Sequence, residues 1–229
     1  MRPAVFCAIK KHIGEAATTL DIYDKTWLTY TLNLFKKMFE AINKSVTRCT
    51  TFSTAELEIF DSLLQYKSVP RKTFLLREGE ICNFEAYVLK GCIRTYHLDE
   101  NGSEVILQFA IEDWWVSDIA SFHEQQPSRL FIETIEDCEL LALNPQTKED
   151  LLFKVPKFER VFRMMVQRNL SATQNRLINN IAKPAQDRYL EFLQRYPGIP
   201  QRVPQHYIAS YLGISPEFLS KTRARLLKK

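Results

Sequence analysis

Six glycines, five cysteines and four histidines in 229 residues leave little material for several kinds of chemistry. The glycines stand at 14, 79, 91, 102, 198 and 213, and no spacing among them makes a phosphate-cradling loop or a G-x-S-x-G nucleophile turn. Cysteines 7, 49, 82, 92 and 138 form no CxxC pair, so neither a disulfide framework nor a zinc or iron-sulfur site is expected; buried or incidental thiols are. His12, His97, His123 and His206 lie far apart with no H-x-H, which removes the ligand set a cupin-like metalloenzyme needs. No cofactor, metal or catalytic residue is expected. No apolar run approaches the roughly 18 residues that span a bilayer. The opening "MRPAVFCAIKKHIGE" loses its short apolar stretch to Lys10 and Lys11 before any cleavage-like site, so a cytoplasmic protein with no membrane partner is expected.

What is present is globular composition, 45% hydrophobic and 12% aromatic, with a formal charge of only +4. The distribution of charge says more than its sum. From residue 202 to the end, Arg202, Lys221, Arg223, Arg225, Lys228 and Lys229 face the single acid Glu217, an excess that attracts phosphate.

The hydrophobic period changes twice along the chain. Residues 1–37 join nothing obvious and are expected to be a dispensable extension. The stretch from Met38 to Val69 reads as helices, with Ser53-Thr54-Ala55-Glu56 as a capping box ahead of Leu57, Phe60, Leu63 and Leu64. Between about 69 and 144 short runs such as "AYVLKGCIRTYHL", "EVILQFAI" and "CELLALN" predict antiparallel strands of a barrel, sandwich or jelly roll. Asn101-Gly102 between two of them predicts a two-residue hairpin turn with positive φ at both positions. After Pro156 the stripe Phe162, Val166, Leu170, Thr173, Leu177 and Ile181 predicts one long helix. A second apolar line, Phe158, Val161, Met165 and Ala172, implies that this helix is covered on two sides. Pro184 breaks it, "AQDRYLEFLQRY" predicts a further helix, and Pro197-Gly198-Ile199-Pro200 reads as a loop.

The final stretch "VPQHYIASYLGISPEFLSKTRARLL" has the layout of a helix-turn-helix. Ile208, Ala209 and Leu212 face inward from the first helix, Gly213 makes the turn, and Leu219, Thr222 and Leu226 face inward from the second. Ser215 caps that second helix and Pro216 suits its first turn. Glu217, Ser220, Lys221, Ala224, Arg225 and Lys228 remain outside, a face suited to the major groove.

The stretch from about 55 to 229 resembles the Crp/Fnr superfamily of bacterial transcription regulators. The carrying residues are "LLREGEICNFEAYVLKGCIRTYHLDENGSEVILQFAIEDWWVSDIASF", with Gly79, Gly91 and Gly102 at turns, followed by "IASYLGISPEFLSKTR". The resemblance implies an α+β chain in four parts. After the extension 1–37 come a double-stranded β-helix (jelly-roll β-roll) domain with leading helices over 38–150, a dimerisation helix over 151–183 and a DNA-binding helix-turn-helix over 184–229. It implies double-stranded DNA, a second copy of the chain and RNA polymerase as partners, with an effector of unknown class. Base-contacting positions of the family fall on Pro216, Glu217 and Lys221; Gln205, His206, Ser215, Ser220, Arg225 and Lys228 complete the expected DNA-facing set.

The family's cyclic-phosphate cassette is not intact here. Ser117-Asp118 stands near the usual Gly-Glu, and Ser128-Arg129 reverses the usual Arg-Ser, which in an alternating strand turns the arginine to the opposite face. Binding of cyclic AMP or cyclic GMP is therefore not expected. Trp114, Trp115, Asp118, Ser128 and Arg129 are the candidate ligand residues, with both tryptophans equally readable as packing. Two other readings stay open at this stage: a cupin-like small-molecule-binding or metal-dependent enzyme, and a protein-interaction module that binds no DNA.

Overall fold

The computed structural model describes residues 38–226; the expected dispensability of 1–37 and the side chain of Lys228 fall outside it. A helix over 38–47 (α1) is followed by α2, Thr54–Leu63, whose Ser53 and Glu56 cap each other reciprocally as the capping box requires. Eight strands come next: β1 Gln65–Val69, β2 Phe74–Leu76, β3 Glu85–Lys90, β4 Ile93–Leu98, β5 Glu104–Ala110, β6 Trp115–Val116, β7 Phe131–Thr134 and β8 Cys138–Leu143. A short helix, α3 (Ile119–Glu124), joins β6 to β7. The strands form two antiparallel four-stranded sheets, ordered β1-β8-β3-β6 and β2-β7-β4-β5. Helices follow: α4 Pro145–Lys154, α5 Lys157–Ala182, α6 Ala185–Arg195, α7 Ile199–Arg202, α8 Gln205–Leu212 and α9 Pro216–Leu226.

Three apolar clusters explain this order. Leu76, Val88, Ile93, Ile132 and Leu140 fill the space between the sheets. Phe60, Tyr87, Leu141, Leu143 and Phe158 seal α1, α2, α4 and the start of α5 onto the outer face of the first sheet. Tyr96, Ile106 and Phe109 bring α6 to α9 onto the outer face of the second, against Phe192, Ile208 and Leu212. Both faces of β8 are therefore covered, which is why "CELLAL" is nearly continuous in apolar residues instead of alternating.

Three expectations need correction. Gln65–Val69 is a strand, not the tail of a helix: it pairs with β8 from Gln65 opposite Ala142 to Val69 opposite Cys138, and the ladder outweighs local helical pattern. The β4–β5 hairpin exists, but its connection runs from Asp99 to Ser103. Only Gly102 takes positive φ (+75°), while the Asp99 carboxylate accepts the amides of Asn101 and Ser103 at 2.9 and 2.8 Å. An aspartate-stabilised turn thus replaces the two-residue one. Within Pro197–Pro200, Ile199 opens the short α7 and is itself buried.

One buried pair between α1 and α2 carries a pH dependence. Asn43 donates its amide to Asp61 Oδ2 at 3.2 Å, while Asn43 Oδ1 and Asp61 Oδ1 are both buried without a partner. Burial pushes the Asp61 carboxyl up to about 7; the Asn43 bond works against this and the Glu58 charge with it. The folded state thus holds a proton that the unfolded chain has released, and stability falls as pH rises from about 4 to about 7. Asp61→Asn should raise stability on the order of 1–3 kcal/mol at pH 8 and much less at pH 5. Melting temperatures of both proteins at the two pH values check this; an equal shift at both would refute the buried titration.

Candidate effector cavity and nucleic-acid interface

α5 is the hub of the molecule. Its 26 residues run about 39 Å at 1.5 Å per residue. Phe158, Val161 and Phe162 are buried against the β-domain, and Met165 and Ala172 lie on the same side. The expected stripe divides there: after Phe162 it turns away from the chain's own body. Leu170 is 57% exposed, Leu177 59% and Ile181 78%, with Val166 and Thr173 also exposed.

Where α5 passes β5, it forms with α3, the α6–α7 junction and α8 a cavity of about 360 Å³. Its aromatic walls are Phe109, Trp114, Tyr196 and Tyr211. Trp114 meets Tyr196 edge to face at 5.5 Å, and Phe109 meets Tyr211 at 5.5 Å. Of the five candidate ligand residues, Trp114 and Asp118 line this cavity. Trp115 does not; it packs edge-on against Tyr87 and Phe162 in the cluster under α5. Ser128 is buried and donates to Asp118 Oδ2 at 2.6 Å, while Asp118 Oδ1 accepts the Ser121 amide and caps α3. Arg129 is exposed and not on the cavity wall; its carbonyl lies 2.9 Å from His97 Nδ1. The two half-cassettes therefore close on each other, with a carboxylate at the short helix start. His123 is exposed, 3.9 Å from Glu85. Among the described residues no group of three or more His, Cys, Asp or Glu could hold a metal ion. Cys49, Cys82, Cys92 and Cys138 are free and buried, and burial pushes the Cys92 and Cys138 thiols up to about 12 and 11.

Three arginines join the parts; the sequence passes over Arg94 and Arg176 and counts Arg202 among the phosphate-attracting cations, a reading the structure corrects. Arg202 of α7 pairs with both Glu112 and Glu136, at 2.6 and 2.7 Å, so this cation is spent inside the chain instead of on phosphate. Bonds to Glu136 and Glu112 hold its guanidinium above the ordinary value. Arg94 lies buried between Glu104 and Glu133, with Tyr96 and Tyr207 against its guanidinium at 4.3 and 4.0 Å. Arg176 of α5 donates to the carbonyls of Ile106, Leu107 and Tyr211. Ser210 adds a further tie, accepting the Ile106 amide and donating to the Glu104 carbonyl. Only the acids opposite these arginines, or their absence, reveal such roles, and they are distant in sequence.

At the C-terminal end, Ile208, Ala209 and Leu212 of α8 and Leu219 and Thr222 of α9 are buried, with Leu226 half-buried beside them. Gly213 has φ +63° and ends α8 with its amide on the Ala209 and Ser210 carbonyls. The Ser215 hydroxyl accepts the Phe218 amide at 3.2 Å at the start of α9. Ser215, Pro216, Glu217, Ser220, Lys221 and Arg225 are all exposed, as is His206. Gln205 is half-buried, donating to the Pro200 carbonyl at 3.5 Å. Phe218, 42% exposed on the outer side, went unremarked in the sequence because an isolated aromatic there reads as core.

A model of the cyclic nucleotide-binding domain matches residues 66–154. The anaerobic regulatory protein of Pasteurella multocida is 24% identical over 190 residues, 78% of this chain and 69% of the relative. The cAMP-activated global transcriptional regulator CRP of Salmonella typhimurium is 24% identical over 123 residues, 54% of this chain and 59% of the relative. Among solved structures, FixK2 of Bradyrhizobium japonicum matches with a TM-score of 0.64 at 19% identity, covering 72% of this chain and 85% of that one. The c-di-GMP responsive global regulator CLP of Xanthomonas campestris matches at 0.62 and 18%, covering 77% and 92%. No helix among the described residues is long and apolar enough to cross a membrane. Residues 66–154 thus match the cyclic nucleotide-binding domain, and over most of its length the chain is similar to transcriptional regulators of the Crp/Fnr type.

Proposed function

We propose that the chain is a homodimeric, sequence-specific DNA-binding transcriptional regulator, not an enzyme, in which α8 and α9 act as a helix-turn-helix and α9 enters the major groove. The units are the β-domain with its leading helices over 38–150, the dimerisation segment 151–183 and the DNA-binding part 184–229. One observation carries the reading. α9 buries Leu219 and Thr222 and leaves Pro216, Glu217, Ser220, Lys221 and Arg225 exposed on its outer side, with Ser215 exposed just before it. Short polar groups and one acid near the helix start suit base edges, and the cations further along suit phosphate.

The two groups should fail differently. Lys221→Ala or Glu217→Ala should cost on the order of 1–3 kcal/mol on a preferred duplex and relax its sequence preference. Arg225→Ala should weaken all duplexes evenly and lower the salt slope by about one. Sites selected from a random DNA pool, titrated beside scrambled duplexes at several salt concentrations, decide this. Equal loss on both duplexes for Lys221→Ala would remove α9 from the groove.

The closed cassette supports a second element of the reading: cyclic AMP is not the effector. Asp118 already occupies the α3 cap and the Ser128 hydroxyl, so a cyclic phosphate would meet a carboxylate instead of a free arginine-serine pair. Calorimetry with cyclic AMP or cyclic GMP at micromolar concentration should show no saturable heat. Saturable binding abolished by Arg129→Ala would overturn it.

A further inference from the structure

Arg176 differs from the other bridging arginines in its partners. Arg94 and Arg202 each lie between two carboxylates. Arg176 is half-buried at the cavity wall and gives its terminal nitrogens to three neutral carbonyls, Leu107 at 2.6 Å and Ile106 and Tyr211 at 2.8 Å. Its Nε is buried with no partner, and among the described residues no carboxylate pairs with it. The Tyr211 ring covers the guanidinium at 4.0 Å. Burial without an acid pushes this group below its ordinary value. A planar cation held only by carbonyls is a poor pair by the standards of arginine, because a carboxylate bonds it bidentately and with full opposite charge.

The rest of the cavity states what else the ligand must be. Its volume lies within the range of small-molecule pockets, about 300–1,000 Å³. Leu107, Phe109, Trp114, Ile199 and the two tyrosines give it flat apolar walls. One guanidinium balances one negative charge, and Asp118, which also lines the cavity, repels any further charge on an anion. We infer that the cavity between β5, α5 and the terminal helices is a binding site for an amphipathic monocarboxylate, an aromatic or aliphatic body against Trp114 and Tyr196 with its carboxylate on Arg176.

Occupancy changes how the terminal helices are held. Arg176 is the only described residue of α5 whose side chain bonds both β5 and α8, so a carboxylate that takes the guanidinium competes with the Ile106, Leu107 and Tyr211 carbonyls. Tyr196, Ile199 and Tyr211 are themselves walls of the site. Filling it therefore bears directly on the packing of α6 to α9 against the β-domain. This consequence rests on reading those helices as the DNA-binding part; the binding site itself does not.

The test uses the full chain and no DNA. Calorimetric titration with 2-naphthoate is compared with titration by 2-naphthalenemethanol, which has the same ring without the charge. Naphthoate should saturate the wild type at millimolar concentration or below, at least ten times more tightly than the alcohol. Arg176→Gln should reduce naphthoate to the level of the alcohol, Arg176→Lys should retain part of the difference, and Trp114→Ala should weaken both probes. Hydrogen exchange should show faster exchange of the Ile106 amide on addition of naphthoate. No saturable binding, equal binding of the two probes, unchanged binding by folded Arg176→Gln, or tighter saturable binding of cyclic AMP than of naphthoate would each overturn the inference. Naphthoate binding in a protein that ignores every duplex would leave this site standing and remove the DNA-binding reading instead.

Discussion

Gly91→Ala is expected to lower the melting temperature by about 10 °C, at roughly 2–4 °C per kcal/mol for a chain of this size. Two costs add. Gly91 has φ +103°, which an L side chain rarely adopts, at about 1–2 kcal/mol. A Cβ there would also stand 2.5 Å from Cys138 Sγ and 2.6 Å from the Asp137 carbonyl oxygen, an overpacking cost of about 1–3 kcal/mol. Gly79 separates the two: its φ is +85°, but no atom lies within 4 Å of a Cβ added there. Gly79→Ala should therefore lose only the backbone part. Cys138→Ala should not rescue Gly91→Ala, because the peptide oxygen stays in place. The damage should also spread, since the Gly91 amide donates to Glu112 at 2.8 Å and Glu112 holds Arg202 of α7. Thermal melts of the three single variants and the double variant check the whole argument; equal losses at Gly79 and Gly91 would show that close approach to β8 costs nothing.

Gly91 also illustrates what could be read from the chain before folding and what could not. That it makes a turn between two strands is legible from "VLKGCIR", because period-2 runs flank it. That β8 passes within van der Waals contact is not, since Cys138 is 47 positions away. The same limit separates the other cases. The capping box at Ser53, the inward residues Ile208, Leu212 and Leu219, and the break at Pro184 are local patterns, and the structure has them where the pattern puts them. Gln65–Val69 continues a helical pattern in the sequence because its partner strand lies more than 60 residues on. Asp118 and Ser128 stand ten residues apart in the sequence, and only the fold turns them onto one another. Arg176 gave no signal at all. On a helical wheel it is a polar residue on a helix rich in polar residues, and its meaning comes from the carbonyls and the cavity it meets.

Leu170→Glu is expected to convert the protein to monomer, with at least a 100-fold loss of self-association. In a single chain the far side of α5 leaves Val166, Leu170, Leu177, Ile178 and Ile181 exposed, while Phe158, Val161 and Phe162 on the near side are buried. Five large apolar residues on one helix are more than a monomer ordinarily leaves to water, and a second copy of the same helix matches them in length and period. In a two-fold interface each substitution occurs twice. Full burial of a leucine is worth about 1.5–3 kcal/mol and Leu170 is 57% exposed, so two lost leucines remove roughly 2–3 kcal/mol, a factor of about 30 to 150. The two introduced carboxylates would in addition have to be desolvated near each other. Asn175→Glu is the control, because residue 175 is exposed but lies roughly 140° round the helix from 170. Light scattering across a dilution series should show dimer for the wild type and Asn175→Glu and monomer for Leu170→Glu. On the proposed DNA-binding reading affinity for duplexes should fall with it, because that reading needs two recognition helices about 34 Å apart to meet successive major grooves. A Leu170→Glu protein that stays dimeric would move the interface off α5 and leave the exposed stripe to another partner.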